Sequence, residues 1–225
     1  LTAAGFFGIF SFFASKWNCP VRLTGAGFVS VGHVFGRGSV TQTKTTRREN
    51  TKHGKPKTKS EIQNPKSKIQ NPNVLLLVAD DLGWADVGFH GSEIRTPNID
   101  QLARDGTQLN RFYSFPVCSP TRSALMTGRS PMRLGLGYTV IRPWSNYGLP
   151  LAEHTIAQSF QSAGYQTAMA GKWHLGHSRK RFFPMAWGFD HQYGHFNGAI
   201  DYFTHDREGG LDWNRDGKSV VEEGY

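Results

Sequence analysis

Apolar residues are distributed unevenly along the chain, and from Asn73 onward their pattern predicts a folded domain. Val74–Ala79 is a continuous apolar run that ends abruptly in Asp80 and Asp81, and Tyr165–Ala170 is a second short run. A run of about six apolar residues that turns suddenly polar is typical of a buried parallel strand. We therefore predict one strand at each of these two positions.

The sequence between these two strands has helical periodicity. It predicts one helix over Thr96–Gly106, with Thr96 or Asn98 as its cap, a second over Ser119–Gly128, and a third over Leu151–Ala163. A glycine marks the end of each helix, as is common at carboxyl-terminal caps. Strands that alternate with helices predict an α/β fold, in which helices sandwich a mostly parallel or mixed sheet.

Residues 1–72 have a different pattern, which predicts little packed structure. Leu1–Ser15 is uncharged and rich in Phe, too short to span a membrane but long enough for the apolar part of a signal peptide. Thr41–Lys59 contains almost nothing apolar. The repeats Lys59–Pro65 and Lys66–Pro72 carry a Pro in each heptad, which excludes a coiled coil. We predict an apolar start and a basic low-complexity linker outside the fold.

The positive charge belongs to the same segment. The 225 residues include 26 Lys and Arg against 17 Asp and Glu, a net charge of +9. Residues 1–72 hold 12 basic and 2 acidic residues (+10), whereas residues 73–225 hold 14 and 15 (−1). The basic segment is a tail that contacts polyanions, a solvated linker, or an upstream stretch wrongly joined to the gene. We expect no nucleic-acid partner and no transmembrane span, and two cysteines exclude a disulfide scaffold.

Two adjacent carboxylates, Asp80 and Asp81, stand where the first predicted strand ends. Like charges this close repel, so the pair is costly unless a cation neutralises it. Carboxylate oxygens are the ligands that Ca²⁺ and Mg²⁺ prefer, and α/β sheets place ligand sites at the carboxyl ends of strands. The pair predicts a divalent-metal site, although two Asp residues that only cap a loop would look the same.

A second cluster reads Cys118-Ser-Pro-Thr-Arg122. If a helix begins here, the thiol lies at its amino end and Arg122 follows about one turn later, near the same face. A helix amino terminus attracts anions, and a Cys beside an Arg gains nucleophilic character. The cluster therefore predicts an anion-binding nucleophile, with a buried structural Cys as the alternative.

Lys172 and His174 form the third cluster, directly after the second predicted strand. If the chain stays extended, their side chains point to the same side. A cation beside a titratable imidazole suits an anionic substrate, whereas a surface Lys and a structural His are the alternative. Together, the three clusters predict a site for a tetrahedral oxyanion ester.

These motifs resemble those of the sulfatases, within the alkaline-phosphatase superfamily. Cys118–Gly128 is similar to the sulfatase motif Cys-x-Pro-x-Arg with its Thr-Gly ending, Gly164–His174 to the second family motif, and Asp80-Asp81 to the metal-binding pair. The resemblance implies that residues 73–225 are the amino-terminal portion of an alkaline-phosphatase-like catalytic domain, incomplete at its carboxyl end. Three further stretches look most like the arylsulfatase B-type branch: Gly83-Trp84, Thr96–Asp100 and Gly188–Tyr202.

The resemblance also implies the chemistry. Cys118 would be oxidised to Cα-formylglycine by a formylglycine-generating or sulfatase-maturating enzyme. One hydroxyl of the aldehyde hydrate would attack the sulfur of a sulfate ester, and the other would expel sulfate by re-forming the aldehyde. A simple Ser would not make the second step easy.

Roles for the remaining residues follow from the same resemblance. Asp80, Asp81 and residue 118 would hold Ca²⁺, with Mg²⁺ as the alternative. Arg122 would hold the formylglycine. Lys172 would contact the sulfate, and His174 would hydrogen-bond the hydrate and assist proton movement, so both also bind substrate.

We expect a sulfuric ester hydrolase of the arylsulfatase type, acting on aryl or carbohydrate sulfates and either exported (periplasmic or extracellular) or lysosomal. One alternative is a hydrolase of phosphonate monoesters or phosphodiesters from the same superfamily. Two others are an inactive truncated product and a polyanion-binding protein that uses its basic tail. The family also uses an Asp-Asn pair, another His and another Lys, for which the sequence before Tyr225 shows no convincing counterpart.

Overall fold

The computed structural model describes residues 9–15 and 72–224. Residues 9–15 and 73–224 belong to one compact unit. The basic stretch and the tandem repeats lie outside the described residues, so their predicted role as a linker stays a prediction.

Four strands form the main part of a mixed sheet: β1 (Ile9–Ser15), β2 (Val74–Ala79), β3 (Gln166–Gly171) and β4 (His191–Gly194). Strand β1 lies between β2 and β3 and is antiparallel to both, so β2 and β3 run in the same direction. Strand β4 pairs with β3 in parallel. The two strands predicted from the apolar runs are confirmed. Their carboxyl ends meet at one edge of the sheet.

Strand β1 lies in the amino-terminal segment, for which the sequence predicts little packed structure. Its seven residues pair with β2 from Ile9 opposite Ala79, and with β3 as far as Ser15 opposite Gln166. The Phe-rich stretch that suggested a signal peptide is also a good strand sequence, because aromatic residues favour the extended conformation. Amino-acid composition alone does not distinguish a strand from the apolar part of a signal peptide.

Short elements complete the described residues. Strands β5 (Asp206–Arg207) and β6 (Gly210–Leu211) form a separate hairpin. Strands β7 (Asn214–Arg215) and β8 (Lys218–Ser219) extend the main sheet from β4. 3₁₀ turns lie earlier in the chain, between β2 and β4: Trp84–Asp86, Gly88–His90, Pro131–Leu134, Lys180–Phe182 and Pro184–Trp187.

Three α-helices occur in the described residues: α1 (Pro97–Asp105), α2 (Cys118–Thr127) and α3 (Ile156–Ser162). Thr96 occupies the cap position of α1, so Asn98 is not the cap. Helix α2 begins at the cysteine and ends at Gly128, which has a φ of 66°. The predicted start of the third helix at Leu151 is wrong.

Helix α3 starts late because Thr155 fixes its amino terminus. The Thr155 hydroxyl accepts a hydrogen bond from the Gln158 N–H at 3.2 Å, and the Gln158 side chain accepts one from the Thr155 N–H at 2.9 Å. This reciprocal pair is a capping box. The Thr155 hydroxyl also donates to the Trp187 carbonyl at 2.6 Å, which ties the start of the helix to the chain before β4.

The core includes Met169 of β3, and Val74, Leu76 and Val78 of β2 pack against it. Trp173 is fully buried, packs edge-on against Phe189 with ring centroids 6.0 Å apart, and donates its indole N–H to the Phe182 carbonyl at 2.8 Å. Other buried members come from α2, α3 and the loops between them: Met126, Leu134, Leu136, Ile141, Leu149 and Ala157. No helix in the described part of the chain is long and apolar enough to cross a membrane.

Candidate active site

The strand ends bring the first and third sequence clusters together. Asp80 follows β2 and Lys172 follows β3, and the Lys172 ammonium contacts the Asp80 carboxylate. Arg122, one turn into α2, places its Nη2 atom 3.3 Å from the same carboxylate oxygen. All three side chains are largely buried. The structure thus joins residues that lie 92 positions apart in the sequence.

Cys118 completes this cluster from the first position of α2, where the sequence places it. Its Sγ atom and one carboxylate oxygen each of Asp80 and Asp81 all lie within 4.8 Å of one another. Cys118 is half-buried and Asp81 is exposed, so solvent reaches one side of the group. Asp81 has a φ of 59°, a left-handed conformation that Asp tolerates better than most residues.

The charges in the cluster balance one another. Burial alone would raise the pKa of Asp80, but Arg122 and then Lys172 outweigh it and hold the pKa of the carboxyl below its usual value. Burial lowers the pKa of the Arg122 guanidinium, and Asp80 opposes that change. A guanidinium stays protonated in proteins. Asp80 therefore remains an anion between two cations.

Arg122 also connects two elements of the fold. Its Nη1 atom donates to the Lys172 backbone carbonyl while Nη2 reaches Asp80. The planar guanidinium can make both contacts at once because its donors lie in a fixed fork. Arg122 thereby holds α2 against the ends of both β2 and β3.

His174 is buried next to this cluster, in a conformation that the sequence does not predict. The residue has a φ of 60°, so the chain is not extended here and the argument that Lys172 and His174 share a side by strand alternation is wrong. Backbone bonds compensate for the strained geometry, since the His174 N–H donates to the Phe196 carbonyl at 3.0 Å. Strain of this kind is common at functional sites and costs about 1–3 kcal/mol.

The contacts of His174 define the protonation state of its ring. Its Nε2 atom lies 2.9 Å from the Ile141 carbonyl, which can only accept, so Nε2 carries the proton. Burial, followed by the positive charge of Lys172, lowers the pKa of His174 to about 3. The ring is therefore neutral at pH 7. Its Nδ1 atom is buried without a hydrogen-bond partner among the described residues, and is left as an acceptor.

Ser119 is a site residue that sequence reasoning missed. Its hydroxyl donates to the His174 carbonyl at 2.8 Å and accepts from the Ile141 N–H at 3.0 Å, while the Ile141 carbonyl accepts from the His174 ring. The three residues form a closed ring of hydrogen bonds that joins α2 to the segment after β3. Ser119 lies inside the cysteine motif, but nothing in the sequence brings residues 119, 141 and 174 together.

We expect Ser119→Ala to destabilise the protein by about 2 kcal/mol or more, because it leaves a buried carbonyl and a buried N–H unpaired. Ser123→Ala is the matched control, since this equally buried hydroxyl on the same helix donates to the Pro120 carbonyl at 2.8 Å and makes no other bond among the described residues. The control should cost about 1 kcal/mol. Urea unfolding of both variants would measure the difference. Equal losses would contradict the role given to Ser119.

His195 is a second buried imidazole close to the same charges. Its backbone pairs with the segment after β3, because the Trp173 N–H donates to the His195 carbonyl at 2.9 Å. Burial, then Lys172 and Arg122, lower the pKa of His195 to about 3. Like His174, it is neutral in the folded protein at pH 7 but gains a proton near a pH of about 6.5 when unfolded.

This difference predicts how stability depends on pH. Because the unfolded chain binds more protons between a pH of about 6.5 and about 3, the stabilisation present above this window is lost as the pH falls through it. Each buried His should contribute about 1.4 kcal/mol per pH unit. In His195→Gln, we expect the slope of unfolding free energy against pH to decrease by about this amount. His191→Gln, which changes an exposed ring, is the control; a similar effect of both substitutions would refute the assignment.

The donor atoms fit a divalent cation. Asp80 and Asp81 supply hard carboxylate oxygens around one point, as Ca²⁺ and Mg²⁺ require, and Asp81 is exposed for ligation. The Cys118 sulfur is a soft ligand that matches these cations poorly, whereas an oxygen at the same position would match them. The carboxylates therefore fit the metal predicted from the sequence, and residue 118 fits it after conversion to an oxygen-bearing group.

A half-exposed cysteine thus lies among carboxylates and two buried cations, beside a neutral imidazole. The family model for sulfatases matches residues 72–223. The chain therefore belongs to the sulfatase family.

Curated relatives agree with this assignment. The chain is 45% identical over 134 residues to arylsulfatase J of Mus musculus, which covers 60% of this chain and 22% of the relative. It is also 45% identical over 133 residues to N-acetylgalactosamine-6-sulfatase of Canis lupus familiaris, with 55% and 25% covered. The chain thus spans about a quarter of the length of these relatives.

Solved structures support the fold class. The crystal structure of Ps i-CgsB in complex with k-i-k-neocarrahexaose has a TM-score of 0.60 and 36% identity to this chain, over 65% of this chain and 36% of the other. A second crystal structure of Ps i-CgsB gives a TM-score of 0.59 over the same shares. The predicted mixed α/β sheet with helices, of the alkaline-phosphatase-like type, is confirmed for the part of the chain that the structure describes.

Proposed function

We propose that the protein hydrolyses sulfate esters, with residue 118 as the nucleophile after oxidation of Cys118 to formylglycine. The observation that carries this proposal is the position of Cys118 at the start of α2, with its Sγ atom within 4.8 Å of Asp80 and Asp81 and with Arg122 and Lys172 on the same carboxylate. The family assignment and its relatives support the same chemistry.

Charge favours an anionic ester at this position. Asp80 and Asp81 contribute two negative charges, and Arg122 and Lys172 contribute two positive charges. A bound divalent cation would leave the group with a net charge of +2, which attracts an anionic ester. Because the cluster is partly buried, each pairing is worth about 4 kcal/mol at roughly 4 Å and an effective dielectric constant of about 20, rather than about 1 kcal/mol in bulk water.

Two absent groups would supply the central chemistry. When bound, Ca²⁺ or Mg²⁺ would polarise a sulfate oxygen, and an oxidised residue 118 would offer the hydroxyl that attacks sulfur. Asp80, Asp81 and residue 118 would hold the cation. Among the described side chains, Lys172 and His174 can carry further parts of the mechanism.

Lys172 and His174 have distinct roles in this proposal. The Lys172 ammonium contacts Asp80, from which it can turn to a sulfate oxygen without leaving the cluster. The His174 Nδ1 atom has no hydrogen-bond partner among the described residues, since Nε2 donates to Ile141. In this proposal, Nδ1 would accept a proton from the hydroxyl of residue 118 and return it later. Its lowered pKa keeps this atom unprotonated at pH 7.

The substrate class is tested by comparing an aryl sulfate with an aryl phosphonate monoester on the full-length gene product. We expect a higher kcat/KM for the sulfate. A higher kcat/KM for the phosphonate would favour the related hydrolases of the same superfamily and contradict the proposal. The arylsulfatase and N-acetylgalactosamine-6-sulfatase relatives, and the k-i-k-neocarrahexaose bound to one structural neighbour, support aryl or carbohydrate sulfates as substrates.

The proposal includes the partners and the compartment. A formylglycine-generating or sulfatase-maturating enzyme must act on Cys118 before the protein is active. Maturation of this kind fits an exported or lysosomal protein, which is the location that the resemblance implies.

A further inference from the structure

The segment that follows β4 lies against the segment that follows β3, and two peptide groups connect them. The first joins His195 to Phe196, and the second joins Phe196 to Asn197. The His195 carbonyl accepts from the Trp173 N–H at 2.9 Å, and the Phe196 carbonyl accepts from the His174 N–H at 3.0 Å. These two bonds hold the backbone directly after β3, where the third sequence cluster lies.

A buried carboxylate holds the opposite ends of the same two peptide groups. The Phe196 N–H donates to Oδ1 of Asp212 at 3.1 Å, and the Asn197 N–H donates to Oδ2 at 2.7 Å. A trans peptide group is planar, so its carbonyl and its N–H point in opposite directions. Each group therefore bridges Asp212 and the segment after β3, and neither group can rotate without losing a bond at one end.

The neighbouring strands place Asp212 at this point. Strand β7 is antiparallel to β4 with Asn214 opposite Gly194, so the residues before β7 face those after β4. The Asp212 N–H donates to the His205 carbonyl at 2.9 Å, and the Asn214 side chain donates to Oδ1 of Asp212 at 3.3 Å. The carboxylate is thus fixed by its own backbone and by a side chain of β7.

Asp212 takes part in no ion pair among residues 72–224. Its exposed fraction is 7%, and burial raises the pKa of the carboxyl, although the N–H groups of Asn197 and then Phe196 oppose the rise. A buried acid without a cationic partner is unfavourable unless hydrogen bonds satisfy it. Acids of this kind are concentrated at functional sites, which favours a role for Asp212 beyond packing.

The residue after Asn197 brings the same backbone against the His174 ring. A Cβ atom on Gly198 would lie 2.5 Å from Cε1 of His174, so the ring has no room on this side. On another side, its Nε2 atom lies 2.9 Å from the Ile141 carbonyl. A shift of the backbone at Asn197 would therefore change the space that the His174 ring occupies.

We propose that Asp212 is a positioning residue of the candidate active site, which fixes the segment carrying Lys172 and His174 through the two peptide bridges. The inference rests on the proposed function, in which Lys172 binds the sulfate and His174 transfers the proton. Hydrogen bonds in series strengthen one another in a protein interior, so the carboxylate and the two bridges act as one support. Asp212 acts through residues 195–198 and takes no part in bond making.

The test compares Asp212→Asn with Asp190→Asn in the full-length gene product. An asparagine amide has one acceptor oxygen, so its NH₂ group opposes one of the two N–H donors. Asp190 is the matched control, because its carboxylate also accepts a backbone N–H, from Thr167 at 2.8 Å, but at the opposite ends of β3 and β4. Both variants are measured by steady-state kinetics with an aryl sulfate and by amide hydrogen exchange of residues 171–176.

We expect Asp212→Asn to lower kcat about tenfold with KM unchanged. A displacement of roughly 1 Å costs about 100-fold in rate, and this substitution releases only one of the two bridges. The N–H groups of Trp173 and His174 should exchange about tenfold faster, because the same bridge holds their acceptors. The Asp190→Asn control should leave kcat and the exchange of these two groups unchanged.

Unchanged exchange at Trp173 and His174, or a raised KM with unchanged kcat, would overturn the inference. Faster exchange in a protein whose unsubstituted form releases no sulfate would support the positioning role while contradicting the proposed function. If Asp212→Asn does not fold, Asn214→Ala supplies the test, because it removes the 3.3 Å donor to Oδ1 and leaves the carboxylate in place. We then expect a smaller fall in kcat with faster exchange, and no change in either would overturn the inference.

Discussion

Replacing Arg122 by methionine should destabilise the protein by about 3–5 kcal/mol, the usual cost of removing one partner from a buried ion pair. The substitution leaves the Asp80 carboxylate with Lys172 alone and removes the donor to the Lys172 carbonyl. It also separates α2 from the ends of β2 and β3. The free energy of unfolding, measured by urea titration of the full-length gene product, gives the size of the effect.

Arg129→Met is the matched control for this substitution. Arg129 follows α2 and pairs with Glu153 at 2.5 Å, but its side chain is 49% exposed, so the loss should stay below about 1 kcal/mol. Arg122→Lys should lie between the two, because an ammonium keeps the charge but lacks the fork that reaches Asp80 and the Lys172 carbonyl together. Equal losses for Arg122→Met and Arg129→Met would contradict the structural role given to Arg122.

Gly198→Ala should lower kcat for sulfate-ester hydrolysis by about 100-fold, the effect of moving a catalytic group by roughly 1 Å. A Cβ atom at position 198 would lie 2.5 Å from Cε1 and 2.8 Å from Nε2 of the His174 ring, closer than real contacts allow. The ring cannot move away without losing its bond to the Ile141 carbonyl. The proton-accepting Nδ1 atom would therefore shift with it.

Gly210→Ala serves as the control, because a Cβ atom there has only the Arg207 carbonyl nearby, at 3.8 Å. The two alanine variants should differ in kcat much more than in KM if position 198 acts through the orientation of His174. Similar kcat values would show that the His174 ring tolerates the displacement, and would remove His174 from the proton transfer that we propose.

The sequence predicts the parts of the site that depend on strand ends and a helix start. Asp80 and Lys172 follow strands that the apolar runs identify, and Cys118 begins a helix whose Pro and terminal glycine are visible in the sequence. Because β2 and β3 run in the same direction, their ends must meet at one edge. The apolar runs, together with the rule that parallel strands end at the same edge of a sheet, therefore predict that the acidic pair and Lys172 lie close together.

Other features depend on contacts between distant residues, and no local pattern encodes them. The left-handed conformation of His174 is supported by Ser119 and Phe196, which lie 55 and 22 positions away. The close approach of Gly198 to the His174 ring also depends on residues that are distant in the sequence. Strand β1 was missed for another reason, since an apolar segment before a basic stretch fits both a strand and a signal peptide.

The most direct test of the central claim is mass spectrometry of the peptide that contains residue 118, from the full-length protein purified from its native host. We expect the mass of the aldehyde in place of the thiol, together with reactivity towards a hydrazide reagent. An unmodified Cys118 in every molecule, in a preparation that releases sulfate from an aryl sulfate, would contradict the proposed nucleophile.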